Sequence, residues 1–571
     1  MGIIHKYCKT EYASYEDFYQ NFHVSMPHGF NFGYDVVDEL AKEKPDKSAM
    51  VWCNDKGEEK IISFAELKRM SDKIANALRS LGIGKGDAVL AMLKRRYEYW
   101  YFAMAMHKIG AILVPATHML SVKDLVYRIK AAEIKMVITV NDESMRGKID
   151  AAEEATCDIL KVKAVLSGES AGYVHFNKLA DESSEVFVRP TGDDAPDSHD
   201  VMIAYFTSGT TAQPKIVAHD YYYPLCHITT AKFWHNLDEN DLHLTVAETG
   251  WAKASWGKLY GQWLCEATVF VYDFDDRFSA GDFLSLIDKY KITSFCAPPT
   301  IYRLFIKEDL GKYSLKSLKK SSIAGEPLNP EVYTQWLAAT GLKLREGYGQ
   351  TECTVVFATN PWCEPKPGSM GLPMPLTRCT ILNTDGRECE VGEEGEICMP
   401  VPDEKHRPLG LFMGYYKDAA LTQKVLYNGV YHTGDMAWRD EDGYVWFCGR
   451  NDDIIKSSGY RIGPFEVESA LIEHPAVLEA AVTGVPDPER GFNVKATIIL
   501  AKGFAPSDEL KKELQNHVKK VTAPYKYPRI VEFVDALPKT ISGKIKRREL
   551  RDADAEKKHR EIANNKLEEH K

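Results

Sequence analysis

The chain has 571 residues, 44% hydrophobic and 27% charged, with a formal net charge of −10. That length is too great for a single core and predicts at least two domains, while the composition is that of a soluble globular protein. The acidic balance excludes a general nucleic-acid binder. Twelve cysteines are scattered with no zinc-type spacing and read as reduced thiols of a cytoplasmic protein. The N-terminus carries neither a secretory nor an Arg-rich transit pattern, and no apolar run is long enough to span a membrane.

Taken in chain order, Ser63-Phe64-Ala65-Glu66 reads as a capping box. Leu67, Met70, Ile74, Leu78 and Leu81 follow at helical spacing, and Gly82 stops the helix. Ala88 to Leu93 is a buried strand. Helices near Tyr99–Ile109 and from Val122 alternate with strands at Ala111–Val114 and Met136–Thr139. The alternation predicts an α/β fold with parallel sheets covered by helices. From about 360 to 450, short strands between turns such as Asp385-Gly386 predict a β-rich subdomain. Helix and strand patterns then resume to about Arg551, as a small α+β domain. The charged tail, 552–571, is expected to be a frayed helix or disordered.

Thr207-Ser208-Gly209-Thr210-Thr211-Ala212-Gln213-Pro214-Lys215 follows the apolar strand Val201–Phe206. Such a Ser/Gly/Thr loop offers closely spaced N–H groups and hydroxyls to phosphate oxygens, yet it is not a Walker A sequence. In Glu346-Gly347-Tyr348-Gly349-Gln350-Thr351-Glu352, Tyr348 can stack on a base. Thr351 can bond a phosphate, and Glu352 can hold Mg²⁺ as a hard oxygen ligand. Ile323-Ala324-Gly325-Glu326-Pro327 reads either as a ligand-facing segment or as a strand-to-helix turn. Lys544 sits in Pro538-Lys539-Thr540-Ile541-Ser542-Gly543-Lys544, before the basic run Ile545-Lys546-Arg547-Arg548.

These strings, in this order, resemble the adenylate-forming superfamily of acyl-CoA synthetases, luciferases and peptide-synthetase adenylation domains, most closely the medium-chain acyl-CoA synthetases. The resemblance covers roughly residues 35 to 550. It implies an N-terminal adenylation domain over 1–451 and a mobile C-terminal domain over 452–551, with a hinge at Asp452. It implies that Ser208, Thr210, Thr211 and Lys215, with Thr207 and Gly209, line the phosphate path. Gly325, Glu326 and Pro327 fall on the adenine side, with Glu346, Gly347, Tyr348, Gly349 and Gln350. Asp435 in Tyr431-His432-Thr433-Gly434-Asp435 and Arg450 are the ribose or phosphate contacts. The resemblance implies that Thr351, Glu352 and Lys544 are catalytic.

The resemblance further implies that one domain orientation brings Lys544 to the substrate carboxylate and α-phosphate. The other brings Lys456, Ser458, Gly459 and Arg461 to a pantetheine tunnel. Acetate-specific relatives carry a bulky aromatic before the Gln, so Gly349 is expected to leave room for a longer acid. Thr249, Gly250 and Trp251 resemble the acyl-pocket wall, although Trp251 reads equally as core. The expected reaction is ATP-dependent joining of a medium-chain, branched or aromatic acid to coenzyme A through acyl-AMP, with Mg²⁺. The alternative is the loading of a separate carrier protein. A homodimer is left open.

Overall fold

The computed structural model describes residues 2–156, 158–207, 213–275, 278–326, 328–403, 406–540 and 544–557. The chain packs into two compact units. One comprises residues 1–379 and 399–431, the other 380–398 and 432–571. The expected division after Asn451 therefore differs from the packing, which groups the last strands of the β-rich segment with the C-terminal residues.

The first unit holds two sheets, and its mixed α/β character follows the predicted alternation. Strand Ala88–Met92 is buried along its whole length and lies parallel between Ile112–Pro115 and Ile134–Thr139. This is the pattern of a strand covered on both faces. Val201–Thr207 runs parallel to Ile112–Pro115 and returns antiparallel as Lys215–Asp220, with Thr207 opposite Lys215. Gly414–Tyr415 adds to that edge. The second sheet has a parallel centre: Thr268–Asp273, Leu242–Thr245, Ser294–Ala297, Lys320–Ile323 and Leu344–Gly349. Val355–Ala358 folds back antiparallel on Leu344–Gly349, so residues 350–354 form the connection at a sheet margin.

Helix Phe64–Ser80 begins where Ser63 accepts from the Glu66 N–H, at 3.2 Å. Only half of the expected capping box forms. The Glu66 carboxylate instead pairs with Lys60 at 2.9 Å and accepts from the Tyr101 hydroxyl at 2.8 Å, an ion pair and a side-chain bond in place of one backbone bond. Helix Glu98–Ile109 is buried on every face and ends at Gly110, whose φ of +79° suits a left-handed C-cap.

In the second unit, Val430–Arg439 pairs antiparallel with Val445–Arg450, and Trp438 stacks on Trp446 across the ladder at 5.6 Å. Beyond it, Ile455–Ser457, Tyr460–Ile462, Val477–Asp487, Gly491–Leu500 and Ile530–Phe533 form a sheet covered by helices Pro464–Ile472 and Asp508–Val521. The charged segment 547–557 is helical. Residues 558–571 lie outside the described residues.

Candidate active site

Of the phosphate-loop residues, Thr207 and Lys215 are described. Ser208, Gly209, Thr210 and Thr211 lie outside the described residues, as do Pro327, Ser542 and Gly543. The ladder pair Thr207–Lys215 closes the hairpin, so the strand register alone sets where the Lys215 side chain starts. Its Nζ donates to the Tyr415 hydroxyl at 3.3 Å and lies 4.9 Å from that ring's centre. The same hydroxyl donates to Glu352 Oε1 at 2.9 Å. Tyr415 thus joins two motifs 137 positions apart by chain number. Sequence reasoning missed this residue, because nothing in Met413-Gly414-Tyr415-Tyr416 signals a bridging hydroxyl.

The carboxylate of Glu352 is half-buried, and the bond from Tyr415 engages one oxygen. An anionic oxygen pair in a partly wet setting suits Mg²⁺, which keeps several waters and takes one or two carboxylates from protein. The donor set therefore fits the expected ion. Neighbouring backbone is held firmly: Phe412 N–H donates to the Glu352 carbonyl at 2.7 Å, and Thr354 N–H to the Gly410 carbonyl at 3.1 Å.

His219, on strand Lys215–Asp220, meets the same motif. Its Nε2 donates to the Thr351 carbonyl at 2.8 Å, and its ring stacks on Tyr223 at 4.0 Å. Burial pushes its pKa down to about 3, so the ring is neutral at working pH and the bond is made by a fixed tautomer. The Thr351 side chain remains half-buried beside it.

Along the rest of the motif, Tyr348 packs at 5.9 Å from Phe357, and Gln350 accepts from the Tyr431 hydroxyl at 2.8 Å. Gly347 is crowded: a Cβ there would lie 2.4 Å from the Trp234 ring. Glu346 is fully buried. Its Oε1 accepts a long 3.4 Å bond from Leu328 N–H, Oε2 has no hydrogen-bond partner, and burial raises its pKa to about 8. A carboxyl so placed is neutral near pH 7 and faces the protein interior. Gly325 has φ +101°, a conformation that favours glycine, and Glu326 accepts from the Thr300 hydroxyl at 2.8 Å.

The expected room beside Gly349 is absent. A Cβ at Gly349 would stand 2.3 Å from the Thr354 carbonyl oxygen and 2.5 Å from Cη2 of Trp256. The indole of Trp256, buried at 8% exposure, fills the space that the glycine was expected to leave open. The sequence reading weighed one position, whereas a helix from elsewhere supplies the bulk. Gly349→Ala is therefore expected to cost roughly 1–3 kcal/mol through overpacking. It should lower kcat/KM for acids of every length. A melting scan and an acid panel check this: an unchanged Tm with altered chain-length preference would contradict it.

Gly250 is also set by backbone packing. A Cβ there would meet Thr117 N at 2.4 Å and the Ala116 carbonyl carbon at 2.5 Å. The Thr249 hydroxyl donates to the Lys94 carbonyl, and Trp251 is half-buried at the N-cap of helix Ala252–Lys258. Lys253 donates to the Ala324 carbonyl at 2.8 Å, next to Gly325.

In the second unit, Asp435 is buried, and its carboxylate pairs with Arg450 Nη1 at 3.3 Å. The same nitrogen donates to the Thr433 carbonyl at 3.0 Å. Gly434, at φ +74°, leaves space for that guanidinium, since a Cβ would lie 2.8 Å from Nη2. Asp452 is exposed, with its carboxylate 3.6 Å from Arg450 Nε. Ser458 and Gly459 have φ +50° and +84° and form the two-residue turn of a hairpin that pairs Lys456 with Arg461. Gly459 is thus required by the turn, with open space at its Cβ position.

Lys544 is exposed and is bonded back to Thr540. Its N–H donates to Thr540 Oγ1 at 3.0 Å, and its carbonyl accepts from Thr540 N–H at 2.7 Å. Three residues on, Arg547 grips Glu468 through Nε and Nη2 at 2.7–3.0 Å. The basic run Ile545-Lys546-Arg547-Arg548 therefore contains an anchor, set three residues after Lys544.

Among the described residues, no helix is long and apolar enough to cross a membrane. Their cysteines form no disulfides, and most are buried.

Residues 37–416 match the AMP-binding enzyme family, and residues 466–544 match its C-terminal domain. The chain is 41% identical over 566 residues to mouse (Mus musculus) acyl-coenzyme A synthetase ACSM3, mitochondrial, covering 96% of each chain. It is 42% identical over 533 residues to 4-hydroxybutyrate–CoA ligase 1 of Metallosphaera sedula, covering 93% of this chain and 91% of that protein. Among solved structures, the anthranilate CoA ligase AuaEII in complex with anthranoyl-AMP superposes with a TM-score of 0.83 at 27% identity, covering 93% of this chain and 98% of that one. The shared fold, the near full-length identity and the two family matches lead to one conclusion: the chain belongs to the AMP-binding enzyme family, among its acyl-CoA synthetases.

Proposed function

We propose that the protein activates a medium-chain, branched or aromatic carboxylic acid with ATP and transfers the acyl group to coenzyme A. The first step joins the acid to AMP and releases pyrophosphate. In the second, the CoA thiol attacks the acyl-AMP carbonyl and releases AMP. The observation that supports this most is the Lys215–Tyr415–Glu352 connection, which sets a phosphate-seeking ammonium and a metal-seeking carboxylate on one hydroxyl.

In this reading Lys215 meets the outer phosphates, and Thr351 bonds the α-phosphate with its backbone fixed by His219. Glu352, released from Tyr415 as needed, would hold Mg²⁺, which neutralises phosphate charge when bound. Asp435 accepts from the ribose hydroxyls, with Arg450 holding its carboxylate in place. Lys544 bridges the attacking carboxylate and the α-phosphate, where two anions must approach. Lys456, Ser458, Gly459 and Arg461 serve the thiol step after rotation about Asp452. The chain contributes positioning and charge stabilisation, with no covalent nucleophile of its own. The name of one relative, a 4-hydroxybutyrate–CoA ligase, supports an acid longer than acetate. A cytoplasmic setting belongs to the same proposal, beside the mitochondrial designation of the mouse relative. Cell fractionation decides it.

AMP release from MgATP across straight, branched, hydroxylated and aromatic acids, each with and without CoA, tests the reading. AMP formed only with both acid and CoA supports it. Acid activation with no transfer to CoA would sink it in favour of a carrier-protein acceptor. Tyr415→Phe is expected to lower kcat/KM of the adenylation half-reaction about 10- to 100-fold, the worth of one or two charge-assisted bonds. Thioester formation from supplied acyl-AMP should change far less. Pyrophosphate release assays on the two half-reactions measure the split.

A further inference from the structure

Three side chains on one face of the second unit's β-ribbon have no role in the reaction just described. Glu396 and Cys398 are two apart on strand Gly395–Pro400 and so point the same way. His432 presents its ring to them from strand Val430–Arg439. The Cys398 sulfur lies 3.6 Å from His432 Nδ1, and Glu396 Oε2 lies 3.0 Å from the same nitrogen. One donor atom from each residue falls within 4.8 Å of the other two.

We propose that Glu396, Cys398 and His432 form a binding site for a borderline divalent cation of the zinc type. Tetrahedral zinc with bonds of about 2.3 Å to sulfur and about 2.0 Å to nitrogen and oxygen has edges of about 3.5 Å for S···N and about 3.3 Å for N···O. The two distances here, 3.6 and 3.0 Å, already approach those edges. The ion would thus enter with small side-chain rotations and no backbone rearrangement. A thiol, an imidazole and one carboxylate exclude Mg²⁺ and Ca²⁺, which demand oxygen ligands, and select a borderline ion. Binding releases the Cys398 thiol proton to solvent. Any Nδ1 proton of His432 moves to Nε2, leaving the Nδ1 lone pair for the metal. The fourth position takes water.

The second Cys-containing group of this kind in the unit, Glu394, Cys448 and Glu466, lacks a histidine, and its Glu466 is paired with Lys526. It serves as the internal control.

The site couples to the nucleotide residues through one carboxylate. Glu396 Oε2 would face the ion, while Oε1 accepts from Gly434 N–H at 2.7 Å. Gly434 precedes Asp435, whose own N–H donates to the Thr433 hydroxyl at 3.1 Å, and that hydroxyl donates to the Ile397 carbonyl at 2.7 Å. A bound ion therefore pins the turn that presents Asp435. The effect on nucleotide affinity rests on the ligase reading; the binding itself does not.

The test uses the full chain with Co²⁺ as a spectroscopic probe. The expected result is one thiolate-to-cobalt charge-transfer band per chain, displaced by Zn²⁺. The band should vanish in Cys398→Ser and persist in Cys448→Ser. His432→Gln should weaken Co²⁺ at least about tenfold with the circular dichroism unchanged. Absence of the band in the folded wild type overturns the proposal. So does its survival in Cys398→Ser, or its loss in Cys448→Ser alone. Because all of these are metal-binding readouts, their failure is separable from a failure of the AMP-release assay.

Discussion

Lys544→Ala is expected to reduce acyl-AMP formation by at least about 10²–10³-fold, the scale for removing one preorganised charge stabiliser from a transition state. The variant should still convert supplied acyl-AMP and CoA to the thioester at near wild-type rate. A carboxylate attacking an α-phosphate must bring two anions together, and only a cation placed between them offsets that repulsion. Thiol attack on acyl-AMP has no such encounter of anions. Lys544 is exposed and its backbone is bonded back to Thr540, so truncation at Cβ removes charge without opening a core. Little stability should be lost, and Tm is expected to stay within a degree or two. Half-reaction assays with isotopically labelled pyrophosphate exchange for the first step, and thioester detection for the second, measure the split. Equal losses in both steps would remove the assigned role.

Acidification from pH 6.5 to 5 should cost the first unit on the order of 5 kcal/mol of stability, a large share of what a folded domain possesses. His107, His219, His227 and His243 are buried, and burial pushes each down to about 3; His235 is lowered well below its usual value for the same reason. Their hydrogen-bond partners are hydroxyls and a backbone carbonyl, so no carboxylate offsets the cost of charging them. Between the native value and the ordinary value near 6.5, the unfolded chain binds more protons than the native one. Stability is therefore full above pH 6.5 and falls with pH below it. Each ring loses roughly 2 kcal/mol by pH 5. Glu346, raised to about 8, and Asp273, raised to about 6, act in the opposite sense, since each binds its proton more tightly in the native state than in the unfolded one, and they recover part of the loss. Urea midpoints at pH 5, 6 and 7 check the balance. A midpoint that does not move over that range would show that these rings are not held neutral.

The α/β alternation was readable because residues 88–140 switch between unbroken apolar runs and helical spacing, and the structure puts strands and helices there. The signature strings likewise announced their chemistry, since the Ser/Gly/Thr loop and the Tyr-Gly-Gln-Thr-Glu run carry donors at fixed offsets. What the sequence could not show were contacts made across long separations. Tyr415 lies 63 residues from Glu352 and 200 from Lys215, with no local pattern to mark it. The His219 bond is equally hidden from the sequence, because its acceptor is a backbone carbonyl, which every residue has. Glycine misled for a related reason. A missing side chain at Gly349 reads as vacant space, whereas the Trp256 indole and the Thr354 carbonyl come close there.

The contact between Gly349 and Trp256 also constrains how such an enzyme can change by successive substitution. While an indole occupies 256, a bulky residue introduced at 349 collides with that ring as well as with the Thr354 carbonyl. Shrinking residue 256 first leaves a cavity but a folded protein. The later arrival of bulk at 349 then refills that cavity from the other side, once the Thr354 carbonyl has given way. The two positions are coupled through one contact, so the cost of a side chain at 349 depends on which residue stands at 256.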